Sequence, residues 1–195
     1  MKKILSVLFF ICISTNLFAS EDMNNLKNHF QGKIDTVTTI IKSQNTTKDE
    51  RDQKVLDTLE ELFDFKLMAR LSIGRQWRAI DKQKQELFTE LYVNRMKSSY
   101  SSKLDTYKNH NINVTDVKKV KATRAELLTT IMNGTEKYDV MYKLYKPKKP
   151  IKDKYNWLIY DVHIEGVSII KTDKAQFSEF LKTSTIDDLI ISLKK

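Results

Sequence analysis

The spacing between apolar residues changes near Ile112, from three or four residues before it to two after it. Upstream, Leu26, Phe30 and Ile34 recur at intervals that place them on one face of a helix. Downstream, apolar and polar residues alternate, as they do in half-buried β-strands. The four alternating runs lie near 112–121, 126–133, 137–146 and 155–164. A helical first half followed by a run of strands predicts an α+β fold.

Capping signals divide the helical half into separate helices. Thr47, with Glu50 three residues later, predicts a helix that begins with a capping box. Gly74 stands where a left-handed residue ends a short helix. Asp81 is expected to cap the next and longest helix, whose stripe of large apolar residues includes Phe88. Two short helices are expected to close the chain.

The strand-rich part predicts an antiparallel sheet. Asn133-Gly134 is a strong signal for a two-residue hairpin turn, and the other connections are short. Alternation places Tyr142 and Leu144 on one face of the third strand. It places Leu158, Tyr160, Val162 and Ile164 on one face of the fourth. We therefore expect a curved antiparallel four-stranded sheet with helices packed over its concave face, enclosing an apolar cavity.

Residues 1–19 have the pattern of a secretory signal peptide. Lys2 and Lys3 precede an apolar run, and cleavage is expected after Ala19. The remaining residues, 20–195, contain no repeat and are expected to form a single domain that does not span a membrane. The only cysteine, Cys12, leaves with the leader, so neither a disulfide nor a thiol nucleophile is expected in the mature protein.

The chain is basic, with a formal net charge of +9 that falls to +7 when the two leader lysines are removed. Nucleic acid is not an expected partner for an exported protein, so the charge points to anionic lipid headgroups or an acidic protein. Charge for solubility alone is an equal alternative. The lysine-rich segment 146–154 is a candidate for docking, or simply a solvated turn.

Catalytic and metal sites find little support in the sequence. Asp161 and His163 are two apart on a strand and project from one face, as an acid/base pair requires. No serine near His163 stands in a recognisable nucleophile context, and the other histidines, His29 and His110, lie elsewhere. We expect a backbone or arginine partner for Asp161 at the sheet edge and a surface position for His163. No metal site, cofactor or enzymatic activity is expected.

A block in the fourth strand resembles a known signature, W-x-x-Y-D-V-x-I-E-G-V-S. Here the block is Trp157, Tyr160-Asp161-Val162 and Ile164 to Ser168. Two further stretches, "FDFKLMARLSIGRQW" at 63–77 and "IDDLIISLK" at 186–194, extend the resemblance over nearly all of the mature chain. The signature is similar to that of the periplasmic phospholipid-binding component of the maintenance-of-lipid-asymmetry ABC transport system, also called the toluene-tolerance family.

The resemblance implies a periplasmic phospholipid carrier without catalytic activity. Its implied partners are phospholipid, an inner-membrane ABC transporter complex and an outer-membrane lipoprotein complex, and its role is to maintain outer-membrane lipid asymmetry. Acyl chains would lie between helices and sheet. Two alternatives stay open: an enzyme on a similar cone-shaped fold acting on a small apolar substrate with Asp161 or His163 as base, and a periplasmic chaperone.

The periodicity and the resemblance together give candidate site residues. The expected lipid-binding residues are Leu67, Met68, Leu71, Trp77, Leu91, Met96, Tyr100, Tyr142, Leu158, Tyr160 and Val162. The expected structural motif is Trp157, Asp161, Glu165, Gly166 and Ser168. Glu165-Gly166 is expected to turn the chain, with a positive φ at the glycine.

Overall fold

The computed structural model describes residues 14–43, 45–101 and 104–194, and residues 1–13 of the predicted leader lie outside this part. Its α-helices are α1 (Ser14–Lys42), α2 (Lys48–Leu62), α3 (Phe65–Ile73), α4 (Lys82–Ser101), α5 (Ile169–Phe180) and α6 (Ile186–Ser192). Shorter 3-10 helices span Gly74–Arg78 and Leu104–Asn109. The two short helices expected at the end of the chain are α5 and α6.

The predicted helix boundaries are confirmed by the capping contacts. The Thr47 hydroxyl accepts from the Glu50 N–H, and the Glu50 carboxylate accepts in return from the Thr47 N–H, which completes the capping box of α2. Gly74 follows α3 with a φ of 54°. The Asp81 carboxylate accepts from the Lys84 N–H at 2.8 Å at the start of α4. Each boundary therefore has a local chemical cause.

The strands form one antiparallel meander. They are β1 (Asn111–Lys121), β2 (Arg124–Asn133), β3 (Glu136–Tyr145), β4 (Leu158–Ile164) and β5 (Val167–Ser168), and they pair in the order β1-β2-β3-β4-β5. The sheet thus has five strands where four were expected, because the chain folds back for two residues beyond β4. The predicted hairpin joins β2 to β3, but Asn133 pairs with Glu136, so its two turn residues are Gly134 and Thr135.

The turn that creates β5 explains the glycine in the signature block. Ile164 pairs with Val167, so Glu165 and Gly166 form a two-residue turn. Their φ angles are 48° and 80°. A two-residue hairpin turn of the I′ type requires positive φ at both positions. The positive φ predicted for Gly166 is confirmed. A Cβ at this position would meet open space, so the backbone conformation favours glycine here and packing does not.

A β-bulge changes which residues of β4 face the helices. Lys143 pairs with Asp161 and the next residue, Leu144, pairs with Ile159, so Tyr160 is an extra residue without a partner on β3. The face predicted by strict alternation is therefore wrong at the start of β4. Ile159 enters the core, while Leu158 pairs with Tyr145 on the opposite face. Ile164, predicted on the core face, is 46% exposed.

The apolar core lies between the helices and one face of the sheet. α1 packs on β1, and both α3 and α5 pack on β4. Large side chains of α4, among them Phe88 and Tyr92, fill the space between these layers and are fully buried. The sheet residues that join this core are Val114, Ala125, Leu127, Val140, Leu144, Ile159 and Val162.

A buried hydrogen bond ties α4 to α5. The Tyr92 hydroxyl donates to the carboxylate of Asp173 at 2.7 Å, and Arg95 lies 3.4 Å from the same carboxylate. Burial raises the pKa of Asp173, and the hydrogen bond from Tyr92 and the charge of Arg95 only partly oppose this rise. The two helices are thus fixed to each other by a polar contact inside the core.

Candidate functional site

A groove of about 570 Å³ opens between α3, the 3-10 helix that follows it and the ends of β2, β3 and β4. Its apolar and aromatic lining consists of Leu67, Leu71, Trp77, Tyr145, Ile151 and Tyr160. Its polar lining consists of Asp64, Lys66, Arg70, Gln85 and Arg124. The groove is therefore a mixed cleft between helix and sheet, in which apolar and charged side chains lie next to each other.

Asp64 joins the helix wall of the groove to the sheet wall. Its carboxylate accepts from the Leu67 N–H at 2.9 Å and so caps α3. Its own N–H donates to the carbonyl of Ile159 at 2.9 Å, which attaches the start of α3 to β4. The same carboxylate accepts a hydrogen bond from the Tyr145 hydroxyl. These contacts fix the position of α3, and with it Leu67 and Leu71, relative to the sheet.

Two tyrosines and an arginine form the sheet side of the groove. The Arg124 guanidinium lies 5.2 Å from the ring centre of Tyr145 and 5.4 Å from that of Tyr160. Burial and then the hydrogen bond to Asp64 raise the pKa of Tyr145, and burial raises that of Tyr160. Both phenols therefore stay neutral at physiological pH. The Arg124 guanidinium thus lies within cation–π distance of both tyrosine rings.

The charges in the groove favour an anionic ligand group. Lys66, Arg70 and Arg124 supply cations, and Asp64 is the acid among the lining residues. Asp64 already accepts hydrogen bonds from Leu67 and Tyr145. The cations are thus the groups available to a ligand. An apolar wall with guanidinium and ammonium groups beside it suits an amphiphile that has an anionic head and an apolar tail.

The structure brings four of the expected lipid-binding residues together. Leu67, Leu71, Trp77 and Tyr160 line the same groove. The Gln85 side chain donates to the Trp77 carbonyl at 2.8 Å and holds the 3-10 helix against α4. Whether these four side chains contact lipid stays a prediction, and their position together in one cleft supports it.

The other expected lining residues lie elsewhere. Met68, Met96 and Val162 are buried in the core, and Leu158 is buried on the opposite face of the sheet. Tyr142 is partly buried against the core. Leu91 lines a second groove of about 650 Å³ between α4, α5 and α6. The side chain of Tyr100 lies outside the described part of the chain.

The second groove is larger but has a different construction. Its walls are helical only, with Phe177, Phe180 and Leu189 beside Leu91. The first groove combines helix with sheet, which is where acyl chains were expected. We therefore take the first groove as the candidate site.

Several groove residues were missed by sequence reasoning. Arg124 directly follows the turn between β1 and β2. A basic residue at such a position is typical of a solvent-exposed surface. Tyr145 follows the core residue Leu144 on β3, so alternation points its side chain away from the core and does not predict its hydrogen bond to Asp64. Ile151 lies in the lysine-rich loop. The one available signal was the Phe-Asp-Phe stretch around Asp64, whose resemblance to the family block marked the position without giving its contacts.

Asp161, His163 and Ser168 form a buried polar cluster that supports α5. The Asp161 carboxylate accepts from the Ser168 hydroxyl at 2.8 Å and from the Ile170 N–H at 3.2 Å, and His163 Nε2 lies 3.0 Å from it. The expected backbone partner of Asp161 is present. The surface position expected for His163 is wrong, since only 8% of the residue is exposed. Because the Asp161 carboxylate holds the first turn of α5, we interpret the cluster as a structural support for that helix.

The described residues contain neither a candidate metal site nor a candidate membrane span. No cluster of three or more histidine, cysteine or acidic side chains arranged to hold a metal ion occurs in the part of the chain that the structure describes. Within the same residues, no helix has the length and apolarity needed to cross a membrane.

Comparison with known proteins identifies the family. The sequence model of the MlaC protein family matches residues 31–195, which include every residue of the candidate groove. The chain belongs to the MlaC family. The match begins within α1 and continues through the signature block and both closing helices. A search of curated proteins finds no match.

Solved structures also include proteins that share the fold of this chain. One is the phospholipid-binding protein from Ralstonia solanacearum, solved in complex with a phospholipid. The TM-score is 0.72 at 20% sequence identity, and the similarity covers 86% of this chain and 94% of the other. At this identity the similarity establishes a shared fold.

Proposed function

We propose that this member of the MlaC family is a phospholipid carrier of the periplasm. It takes phospholipid between an outer-membrane lipoprotein complex and an inner-membrane ABC transporter complex and so maintains the lipid asymmetry of the outer membrane. The observation that carries the proposal is the groove, in which apolar walls from α3 and the sheet lie beside three cations. Family membership and the phospholipid in the Ralstonia solanacearum relative support the same ligand class.

The groove matches the physical needs of a carrier. Its volume falls within the range of about 300 to 1,000 Å³ typical of small-molecule sites. Each methylene of an acyl chain that leaves water contributes about 0.8 kcal/mol, so retention during transit should increase with the length of chain that the protein buries. Arg124 and Arg70 line the groove. We expect them to bind the phosphate, since guanidinium groups form paired hydrogen bonds to phosphate oxygens.

Periplasmic location follows from the proposed leader. Cleavage after Ala19 leaves residues 20–195 as the carrier. The mass of the protein recovered from the periplasm tests this directly. A mass that includes residues 1–19 would contradict it.

The carrier proposal is tested by photo-crosslinking. A photoreactive phenylalanine analogue at Leu71, Trp77 or Tyr160 is expected to capture phospholipid in cells. The matched control is Val167, which is 61% exposed on β5 and does not line the groove. Capture of peptides from the groove positions would favour the chaperone. Equal capture from Val167 would remove the assignment of the groove.

A further inference from the structure

We propose that the end of the sheet formed by the β1–β2 turn and the β3–β4 loop docks directly on an anionic lipid bilayer. This surface, called the basic end, consists of Lys119, Val120 and Lys121 on the turn side and of Lys148, Lys149, Ile151 and Lys152 on the loop side. The inference goes beyond carriage of lipid, and it does not require the groove to hold one.

The basic end and its neighbouring residues carry mostly positive charge. Residues 118–124 contain four cationic side chains and no acid, and residues 146–154 contain five lysines and one acid, Asp153. Among the ion pairs of the described residues, none engages Lys119, Lys121, Lys148, Lys149 or Lys152. These ammonium groups are exposed and available to external anions.

An exposed aliphatic residue stands between lysines on each side of the basic end. Val120 is 48% exposed between Lys119 and Lys121, and Ile151 is 40% exposed next to Lys152. At a membrane surface such a side chain enters the boundary between headgroups and acyl chains while the neighbouring ammonium groups remain among the phosphates. Solubility alone would require the lysines but not the aliphatic residues.

The two sides of the basic end are held together. The N–H of Lys146 donates to the carbonyl of Thr123 at 3.2 Å, which ties the loop to the β1–β2 turn. At the other end of the loop, the Lys154 ammonium donates to the carbonyls of Glu60 and Phe63 at the end of α2. Lys154 is thus a structural anchor, and the exposed lysines between the two ties present a defined surface.

The basic end also adjoins the candidate groove. Arg124 and Tyr160 line both the groove, which includes Ile151, and a neighbouring depression that includes Val120 and Lys121. Docking through Val120 and Ile151 would therefore bring the groove to the headgroup layer. Val120 and Ile151 are separate aliphatic residues, each beside lysines. A headgroup layer is deformable, so each of these side chains can insert into it independently. A bilayer accordingly fits better than an acidic protein surface.

Vesicle co-sedimentation of the purified protein tests the proposal. We expect binding to vesicles of phosphatidylethanolamine and phosphatidylglycerol that weakens with added salt, and much weaker binding to phosphatidylcholine vesicles. The triple variant K148Q/K149Q/K152Q should bind the anionic vesicles at least about tenfold more weakly. The matched control is K42Q/K171Q/K194Q, which removes the same charge from exposed positions elsewhere and should bind as wild type does.

A second variant separates insertion from charge. V120S/I151S keeps every lysine, so it should bind more weakly while retaining the salt dependence of wild type. Thermal melting checks that each variant is folded. If V120S/I151S binds the anionic vesicles as tightly as wild type does, the proposed insertion of Val120 and Ile151 into the bilayer is overturned. Equal losses in the two triple-lysine variants would overturn the proposal. No binding of wild type to anionic vesicles would also overturn it.

The outcome is separable from that of the carrier proposal. Vesicle binding is measured without any transfer of lipid, so its failure leaves the carrier untouched. A protein that sediments with anionic vesicles but never retains a phospholipid would instead support the basic end and contradict the carrier.

Discussion

The hydroxyl of Tyr145 on β3 donates a hydrogen bond to the carboxylate of Asp64, the residue that caps α3. One acid therefore holds the helix wall of the groove against its sheet wall. The contact joins residues that are far apart in sequence, and the Asp64 N–H reinforces it through the carbonyl of Ile159. The geometry of the candidate site depends on this junction.

Replacing Asp64 should loosen the junction. Asp64→Ala removes the cap of α3 and leaves the Tyr145 hydroxyl without its acceptor, so we expect a loss of about 2 kcal/mol in the free energy of unfolding. Asp64→Asn retains a capping oxygen and should cost roughly half as much. Urea denaturation of both variants measures the difference. Equal stability of Asp64→Ala and wild type would contradict the role given to Asp64.

Gly166 and Gly32 should respond to substitution in opposite directions. Gly166 has a φ of 80°, so Gly166→Val should destabilise the protein by about 1 to 2 kcal/mol. Gly32 lies inside α1 with open space around its Cα, so Gly32→Ala should stabilise it by roughly 0.5 to 1 kcal/mol. Melting temperatures report both. A variant at Gly166 that melts as wild type does would refute the turn argument.

Asp173 should make the free energy of unfolding depend on pH in the acid range. Burial raises its pKa above the ordinary value of 3.8, so the folded state holds this proton more tightly than the unfolded state does. The free energy of unfolding therefore falls as pH rises from near 3.8 through the pKa of Asp173 in the folded state. Above that pKa the cost of burying the ionised carboxylate is fully present. Asp173→Asn cannot ionise. Its free energy of unfolding relative to wild type should increase with pH across this window.

Tyr92→Phe is the matched variant for this experiment. It removes the hydrogen bond that lowers the Asp173 pKa, so the window should extend to higher pH. Denaturant unfolding at a series of pH values gives all three curves. A difference between Asp173→Asn and wild type that does not change with pH would show that the folded state does not perturb this carboxyl.

Arg124 should contribute to phospholipid affinity through its charge. Arg124→Gln is expected to weaken binding of an anionic phospholipid by about tenfold, the effect of losing one charge-assisted hydrogen bond. Arg78→Gln is the control, because Arg78 is exposed on the neighbouring 3-10 helix and does not line the groove. Binding measured with a fluorescent phospholipid at low and high salt would distinguish them. Equal effects from both arginines would remove the specific role of Arg124.

The fold was largely predictable because its signals are local. Thr47, Gly74 and Asp81 mark helix ends through contacts with residues three or four positions away, or through backbone conformation. Asn133-Gly134 marks a hairpin in the same way. The fifth strand was missed because β5 has only two residues, too few for alternation to reveal.

The site was less predictable because it depends on a bulge and on distant contacts. Alternation counted Tyr160 as an ordinary strand residue, whereas the bulge leaves it unpaired and moves Ile159 into the core. Periodicity also gave Met68 and Leu71 the same role, although Met68 faces the core and Leu71 lines the groove. A hydrophobic stripe alone does not distinguish these two faces.

Native mass spectrometry of the protein purified from the periplasm tests the carrier most directly, with bound molecules extracted and identified. We expect phospholipid at defined stoichiometry on wild type and on Val167→Asp, and its loss from Leu71→Asp and Tyr160→Asp variants that remain folded. A wild-type protein that carries no phospholipid and takes up none from vesicles would refute the carrier proposal. So would variants of the groove that retain phospholipid as wild type does.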